Sequence, residues 1–190
     1  MSARRLPTRV LLVTGLPATG KTTLARLLAR RWSAPLLAKD AIKEQLLDVL
    51  GATDAAASRR LSDASFAILF ALARELVAAG RSVVLEGNFR PAEHARPVLE
   101  LPRPLECAQV LCQADEPERI RRLGARSSDT ARHAGHRDAE QARAASGPAE
   151  YLDIAGERFL FAGTEARDWP ELLQHLDRFW QDDDVEPRTG

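Results

Sequence analysis

The chain has 190 residues, 45% of them hydrophobic, and its 27 basic side chains balance 27 acidic ones to a formal net charge of zero. That length and composition fit one domain spanning residues 1–190, with enough apolar material for a core. Zero net charge excludes a global field that draws the protein to nucleic acid or an anionic membrane, and no apolar run approaches the roughly 20 residues that span a bilayer.

Met1 to Arg9 carries an arginine pair but no signal-peptide core, and the expected location is cytoplasmic. Val10-Leu11-Leu12-Val13-Thr14 reads as a buried strand. Lys21 to Trp32 reads as a helix, with Leu24, Leu27, Leu28 and Trp32 recurring on one face. Between them lies Gly15-Leu16-Pro17-Ala18-Thr19-Gly20-Lys21-Thr22, a complete G-x-x-x-x-G-K-[ST] phosphate-binding loop. A strand, a glycine-bearing loop and a helix N-terminus in that order form a nest of backbone N–H groups that favours phosphate. In such a loop Lys21 reaches the β- and γ-phosphates and the Thr22 hydroxyl holds Mg²⁺. Only three lysines (Lys21, Lys39, Lys43) stand against 24 arginines, so a chance lysine here is improbable.

Pro35 to Ala38 is expected to be a short second strand ending at Lys39-Asp40, followed by a helix from about Ala41 to Leu50 that Gly51 closes. Ser58 to Ala79 is a long helical run with Leu61, Ser65, Ile68, Leu72 and Leu76 on one stripe and Phe66, Phe70 and Val77 on another. Two apolar stripes predict a largely buried helix, stopped by Gly80. Ser82 to Glu86 is a third strand, leading into Gly87-Asn88-Phe89-Arg90-Pro91 and a short helix interrupted near Pro97. Cys107 to Cys112 is a fourth strand. Its two thiols, five residues apart, fall on opposite faces and read as unpaired and buried. Asp115-Glu116-Pro117-Glu118 opens a helix with Asp115 as N-cap, and that helix places Arg119, Arg122 and Arg126 on one side. Ser127 to Pro148 is polar and arginine-rich, Arg158 to Ala162 is a fifth strand, and Trp169 to Trp180 is a closing amphipathic helix before a frayed tail at about 182–190.

Strands alternating with helices imply an α/β, three-layer fold around a parallel sheet, with ligands at the C-terminal ends of the strands. Phosphoryl transfer needs charge neutralisation, alignment and a carboxylate to orient or deprotonate the attacking hydroxyl. Asp40 is the candidate for that base; the alternative is a helix cap. Glu86 is placed to hold the Mg²⁺ shell, or else to face the acceptor. Asn88, Arg90 and His94, with Asp40 and Glu86, are the candidate lining of an acceptor pocket. A segment of about 119–148, bearing Arg119, Arg122, Arg126, Arg132 and Arg137, reads as a lid closing over the nucleotide; the alternative is a solvated face. His133 and His136 lack a third ligand nearby and are weak as a metal site. Asp153-Ile154-Ala155-Gly156 matches the D-x-x-G pattern of GTPase switches but lies far from where that motif follows a phosphate loop, and no N-K-x-D motif is present.

The chain resembles the P-loop kinases of the adenylate-kinase and gluconate-kinase type. It is most similar to the branch holding chloramphenicol phosphotransferase, zeta toxin and many small "AAA-domain" ATP-binding proteins. The likeness rests on G-L-P-A-T-G-K-T-T at Gly15 to Thr23, K-D-A-I-K-E at Lys39 to Glu44, V-V-L-E-G-N-F at Val83 to Phe89 and R-H-A-G-H at Arg132 to His136. The resemblance implies a five-stranded sheet of order 2-3-1-4-5 and ATP with Mg²⁺ as cofactors, bound by Gly15 through Thr23. It also implies Asp40 as acceptor base, Arg119 or Arg122 stacked on adenine and Arg126 or Arg132 on phosphate, with the Gly163-Thr164-Glu165 loop bordering the base. Such a protein is expected to phosphorylate a hydroxyl of a small metabolite or antibiotic. A toxin-like kinase of a nucleotide sugar and an ATP-binding or hydrolysing regulatory module without an acceptor are the alternatives. A nucleic-acid acceptor is disfavoured by the neutral charge.

Overall fold

The computed structural model describes residues 6–52, 54–127, 149–162 and 169–181. Within them a five-stranded parallel sheet has the order β2-β3-β1-β4-β5, as expected. The strands are β1 (Thr8–Gly15), β2 (Leu36–Ala38), β3 (Val83–Glu86), β4 (Leu105–Cys112) and β5 (Glu157–Phe161). The helices are α1 (Lys21–Arg31), α2 (Lys39–Leu50), α3 (Ala55–Ala78), α4 (Pro91–Leu99), α5 (Glu116–Ser127) and, closing the chain, α6 (Trp169–Trp180). None of the described helices is long and apolar enough to cross a membrane.

β1 lies mid-sheet because it is apolar on both faces, as a strand covered by helices on either side must be. Val10 and Leu12 join Val83, Leu85 and Cys107 beneath Phe66, Leu69, Phe70 and Val77 of α3 and Val98 of α4. Leu11 and Val13 join Val84, Ala108, Val110 and Cys112 beneath Leu24 and Leu28 of α1 and Leu172, Leu176 and Phe179 of α6. Leu24 and Leu28 are wholly buried, a contribution of about 1.5–3 kcal/mol each. The two cysteines occupy opposite cores, both as free thiols. Burial pushes the Cys107 thiol up to about 11 and Cys112 to about 12, so neither is a reactive thiolate.

Four local expectations are corrected. First, Lys39 and Asp40 belong to the first turn of α2 rather than to a strand end, and Ala38 is the N-cap with no side-chain capping bond. Asp40 is therefore not a cap, although its charge near a helix N-terminus is favourable. Second, α3 begins at Ala55, because Asp54 Oδ1 accepts a 2.7 Å hydrogen bond from the Ala57 N–H. Third, its buried stripe is Ser65, Phe66, Leu69, Phe70, Ala73 and Val77, whereas Ile68 and Leu72 are 37% and 45% exposed. Fourth, Pro97 does not interrupt α4, which runs through it with Pro91 in its first turn. At the end of α3, Arg81 N–H bonds Leu76 O and Gly80 N–H bonds Val77 O, the paired closure of a Schellman motif.

Residues 149–156 are tied to the sheet by Gln109, a buried polar residue in β4. Its Nε2 donates to Leu152 O at 3.1 Å and its Oε1 accepts from Leu152 N–H at 2.7 Å. Gly156, the glycine of the D-x-x-G match, has φ +133, and a Cβ there would lie 2.8 Å from the Cys107 carbonyl carbon. The tetrapeptide is thus a packing device against β4, with Leu152 and Ile154 in the core.

Candidate active site

The site forms where β1, β3 and β4 end and α1 and α5 begin. Gly15 takes φ +149, and any Cβ there would meet Thr19 Oγ1 at 2.8 Å and clash with the Cys112 carbonyl. Ala18 is buried at a left-handed φ of 67, a conformation that disfavours an L-residue by about 1–2 kcal/mol. Thr19 Oγ1 donates to Leu16 O at 2.9 Å and so closes the loop on itself. Gly20 is the left-handed N-cap of α1, and Leu24 N–H bonds its carbonyl. The first N–H groups of α1, which have no partner within the helix, then remain for an anion.

Lys21 and Thr22 both reach Glu86, the last residue of β3. The Lys21 ammonium stands 3.9 Å from Glu86 Oε1, and the Thr22 hydroxyl donates to the same oxygen at 3.3 Å. Glu86 is 1% exposed. Burial raises its pKa above the usual carboxylate range; Lys21 opposes that shift, Asp40 reinforces it, and the Thr22 hydrogen bond and Lys39 oppose it. An additional cation beside this group would therefore favour its ionised form. Hard hydroxyl and carboxylate oxygens held together suit Mg²⁺, which commonly takes one or two protein carboxylates and completes its shell with water and phosphate oxygens. Among the described residues no group of three or more His, Cys, Asp or Glu side chains could hold a metal alone. The residues present fit a shared ion, completed by phosphate and water.

Asp40 sits across from this pair, close enough that its charge acts on Glu86. Its side chain is 43% exposed, and Oδ1 accepts a 3.0 Å hydrogen bond from the buried Lys39 ammonium. Asn88 is exposed just beyond β3. Arg90 is exposed and pairs with Glu93, with Asp63 Oδ1 at 4.0 Å. His94 points inward instead: it is 5% exposed, its ring centroid lies 3.9 Å from that of Phe66, and its Nδ1 accepts the Arg90 N–H at 2.8 Å. Burial and the neighbouring Arg90 lower its pKa from 6.5 to about 4, so it is neutral near pH 7 and fastens the start of α4.

On the other side, α5 brings two arginines onto the loop. Arg119 Nε donates to Pro17 O and an Arg122 terminal nitrogen donates to Ala18 O, both at 3.2 Å. Glu118 accepts from Arg121 and Arg122 at 2.6–2.8 Å, which holds its carboxyl down at about 2. Asp115 is the expected N-cap, its Oδ1 accepting the Glu118 N–H at 2.9 Å. The side chain of Arg126, all of Arg132, His133, His136 and Arg137, and the Gly163-Thr164-Glu165 loop lie outside the described residues.

A cleft of about 360 Å³ opens beside the loop, lined by Leu16, Thr19, Gln113, Ala114, Asp115 and Arg119, with Ala149 and Ala162 completing it. Ala114, Ala149 and Ala162 in this lining were not legible in the sequence, because they are small and come from separate segments. Lys39 and Lys43, nearly buried on α2, were also missed as individuals. The scarcity of lysine in this chain was the available signal.

The AAA domain family profile matches residues 10–148. A "putative kinase" from Chloroflexus aurantiacus J-10-fl is 31% identical, with a TM-score of 0.81, and the match covers 92% of this chain and 99% of that one. APS kinase CysC from Mycobacterium tuberculosis, solved with AMPPNP and APS, shares the fold at 17% identity and TM-score 0.57, over 92% of this chain and 99% of that one. Shikimate kinase from Bacteroides thetaiotaomicron shares it at 15% identity and TM-score 0.52, over 91% and 98%. No curated protein sequence matches the chain significantly. With the phosphate loop and sheet order in place, the chain belongs to the AAA domain family and shares its fold with P-loop kinases.

Proposed function

We propose that the protein is an ATP-dependent phosphotransferase that moves the γ-phosphate of Mg-ATP to a hydroxyl of a small molecule, with Asp40 as the acceptor base. The observation that carries this reading is the convergence of Lys21, Thr22 and the buried Glu86 with a half-exposed Asp40 in the first turn of α2. In this reading the amides of Gly15 to Thr23 and the Lys21 ammonium take the phosphates. Thr22 and Glu86 hold Mg²⁺, which supplies neutralisation of phosphate charge. Asp40 accepts the proton of the acceptor hydroxyl as its oxygen forms the new bond to phosphorus; the bond from phosphorus to the bridging oxygen breaks, and ADP leaves. The Lys39 ammonium donates to Asp40 Oδ1 at 3.0 Å and so helps to orient that carboxylate.

Arg119 and Arg122 brace the loop through its carbonyls, and the place of Arg119 in the cleft lining fits contact with the nucleotide base. Arg126 and Arg132 keep the role of phosphate contacts, within a lid of about 119–148. Asn88 and Arg90 are the better-placed acceptor contacts, since His94 has committed one ring nitrogen to the backbone. Acceptor-dependent ADP release from Mg-ATP in a pool of small hydroxyl compounds tests the reading. Asp40→Asn is expected to lower that release by about 10²–10⁴-fold while nucleotide affinity stays nearly unchanged. Full activity in Asp40→Asn removes Asp40 as the base.

A further inference from the structure

All three lysines of the chain are buried, at 7% exposure for Lys21, 4% for Lys39 and 5% for Lys43, whereas the other 24 cationic side chains are arginine. Lysine is rarely buried unless its charge is answered. Lys21 is answered by the phosphates that its loop is built for. Lys39 and Lys43 are four residues apart on α2, so their ammonium groups share one helix face, and that face meets α3. Lys39 Nζ donates to Asp40 Oδ1 and stands 5.8 Å from the Phe66 ring centroid; Lys43 Nζ donates to Ser58 Oγ at 2.9 Å. Each ammonium carries three donors, and among the described residues each has one hydrogen-bond acceptor.

Lys39 lies within electrostatic reach of the buried Glu86, whereas the carboxylates that act on Lys43 lie towards solvent. Asp40 and Asp63 are the carboxylates that act on Lys43, yet Asp40 is half-exposed and Asp63 is 69% exposed. Arg90 is exposed and already paired with Glu93, and His94 is neutral. Burial, and then repulsion from Lys39, lower the Lys43 pKa despite both carboxylates. Lys39 has Asp40 and Glu86 to answer its charge, but Lys43, with one hydroxyl acceptor and a like charge on the same helix face, is unfavourable in its burial until an anion joins the pair.

We propose that the phosphate acceptor carries an anionic group, a carboxylate or a phosphate, besides the hydroxyl it offers, and that Lys39 and Lys43 hold that group. This rests on reading the site as a phosphotransferase, and it narrows the acceptor: a polycationic compound such as an aminocyclitol antibiotic is excluded. A compact ammonium pair imposes no planar fork, so either anion fits.

The test uses the full chain saturated with AMPPNP and Mg²⁺, so that the phosphate loop is filled. Inorganic phosphate and acetate are titrated calorimetrically at constant ionic strength against chloride, in the wild type and in Lys39→Gln and Lys43→Gln, with AMPPNP binding as the check on folding. If one variant fails to fold, the other carries the comparison. Phosphate or acetate is expected to bind the wild type, the stronger of the two identifying the group, and each substitution is expected to weaken it about tenfold or more. No binding to the wild type, or equal binding to a folded variant, overturns the anion site. Hydroxyl compounds of matched size, anionic, neutral and cationic, are then offered with Mg-ATP. Lysine-dependent anion binding without transfer to any of them defeats the phosphotransferase reading and leaves the anion site standing. Transfer to neutral or cationic compounds as fast as to anionic ones overturns the proposal and leaves the phosphotransferase standing.

Discussion

Gly15 and Gly156 offer a matched pair of perturbations that separates folding from nucleotide binding. Both have positive φ, +149 and +133, and at both a built Cβ runs into a backbone carbonyl of β4, Cys112 for Gly15 and Cys107 for Gly156. Neither neighbour is a flexible side chain end, so the backbone itself must move. The unfavourable φ contributes about 1–2 kcal/mol and the forced displacement about 1–3 kcal/mol, so each Gly→Ala change should destabilise by about 2–5 kcal/mol. For a chain of this size, with about 2–4 °C of Tm per kcal/mol, the expected loss is about 4–20 °C. Thermal denaturation followed by circular dichroism reads that loss. Calorimetric titration with AMPPNP and Mg²⁺, well below the lowered Tm, reads function. Gly156→Ala should bind the nucleotide within about threefold of the wild type, since its effects remain near Cys107 in the first half of β4, whereas Gly15→Ala should lose at least about tenfold through the misplaced loop. An unchanged Tm in Gly156→Ala, or a nucleotide defect there equal to that of Gly15→Ala, would refute the assignment of Asp153 to Gly156 as a packing device and revive a switch role.

Two further outcomes follow from the buried groups around the site. Glu86→Gln keeps the shape of the side chain but removes the charge facing Lys21 and Thr22; the Mg²⁺ concentration for half-maximal activity should rise about 10–100-fold, and an unchanged magnesium titration would remove Glu86 from the metal shell. His94 has a folded pKa lowered from 6.5 to about 4, so the unfolded chain binds the extra proton first: its contribution to stability is present above pH 6.5 and is lost as pH falls towards 4. Urea unfolding between pH 4 and 7 should therefore show a smaller pH slope in His94→Gln than in the wild type, and identical slopes would mean that the imidazole is not buried neutral.

The donor half of the site was legible because its chemistry is written in contiguous residues. Gly15 through Thr22 specify a backbone shape as well as a ligand, and the apolar runs around them placed β1 and α1 with little room for error. The sheet order came with the family resemblance, and the parallel pairing of β1 with β3 and β4 bears it out. The acceptor half was much less legible. On α3, Leu, Ile and Phe occur all round the helix, so periodicity alone could not decide that Leu69 and small Ala73 face the sheet while Ile68 and Leu72 face outward. His94 was expected on the pocket lining, but Phe66, Phe70 and Phe89 draw its ring inward, a long-range effect that no local pattern announces. The burial of Lys39 and Lys43 comes from α3 packing against α2, which no pattern within α2 specifies. Gln109 holding Leu152 across 43 residues of chain has no local signature either.

Transfer of the terminal phosphoryl group is tested best by following that group itself. ATP labelled at the γ-phosphorus is incubated with Mg²⁺, the 190-residue chain and a pool of small hydroxy acids and phosphorylated alcohols, and the products are separated by charge. Label is expected in an organic phosphate ester with the wild type, and is expected to be lost in Lys21→Ala and Asp40→Asn. Label released only as inorganic phosphate, at a rate that no acceptor changes, would contradict that transfer.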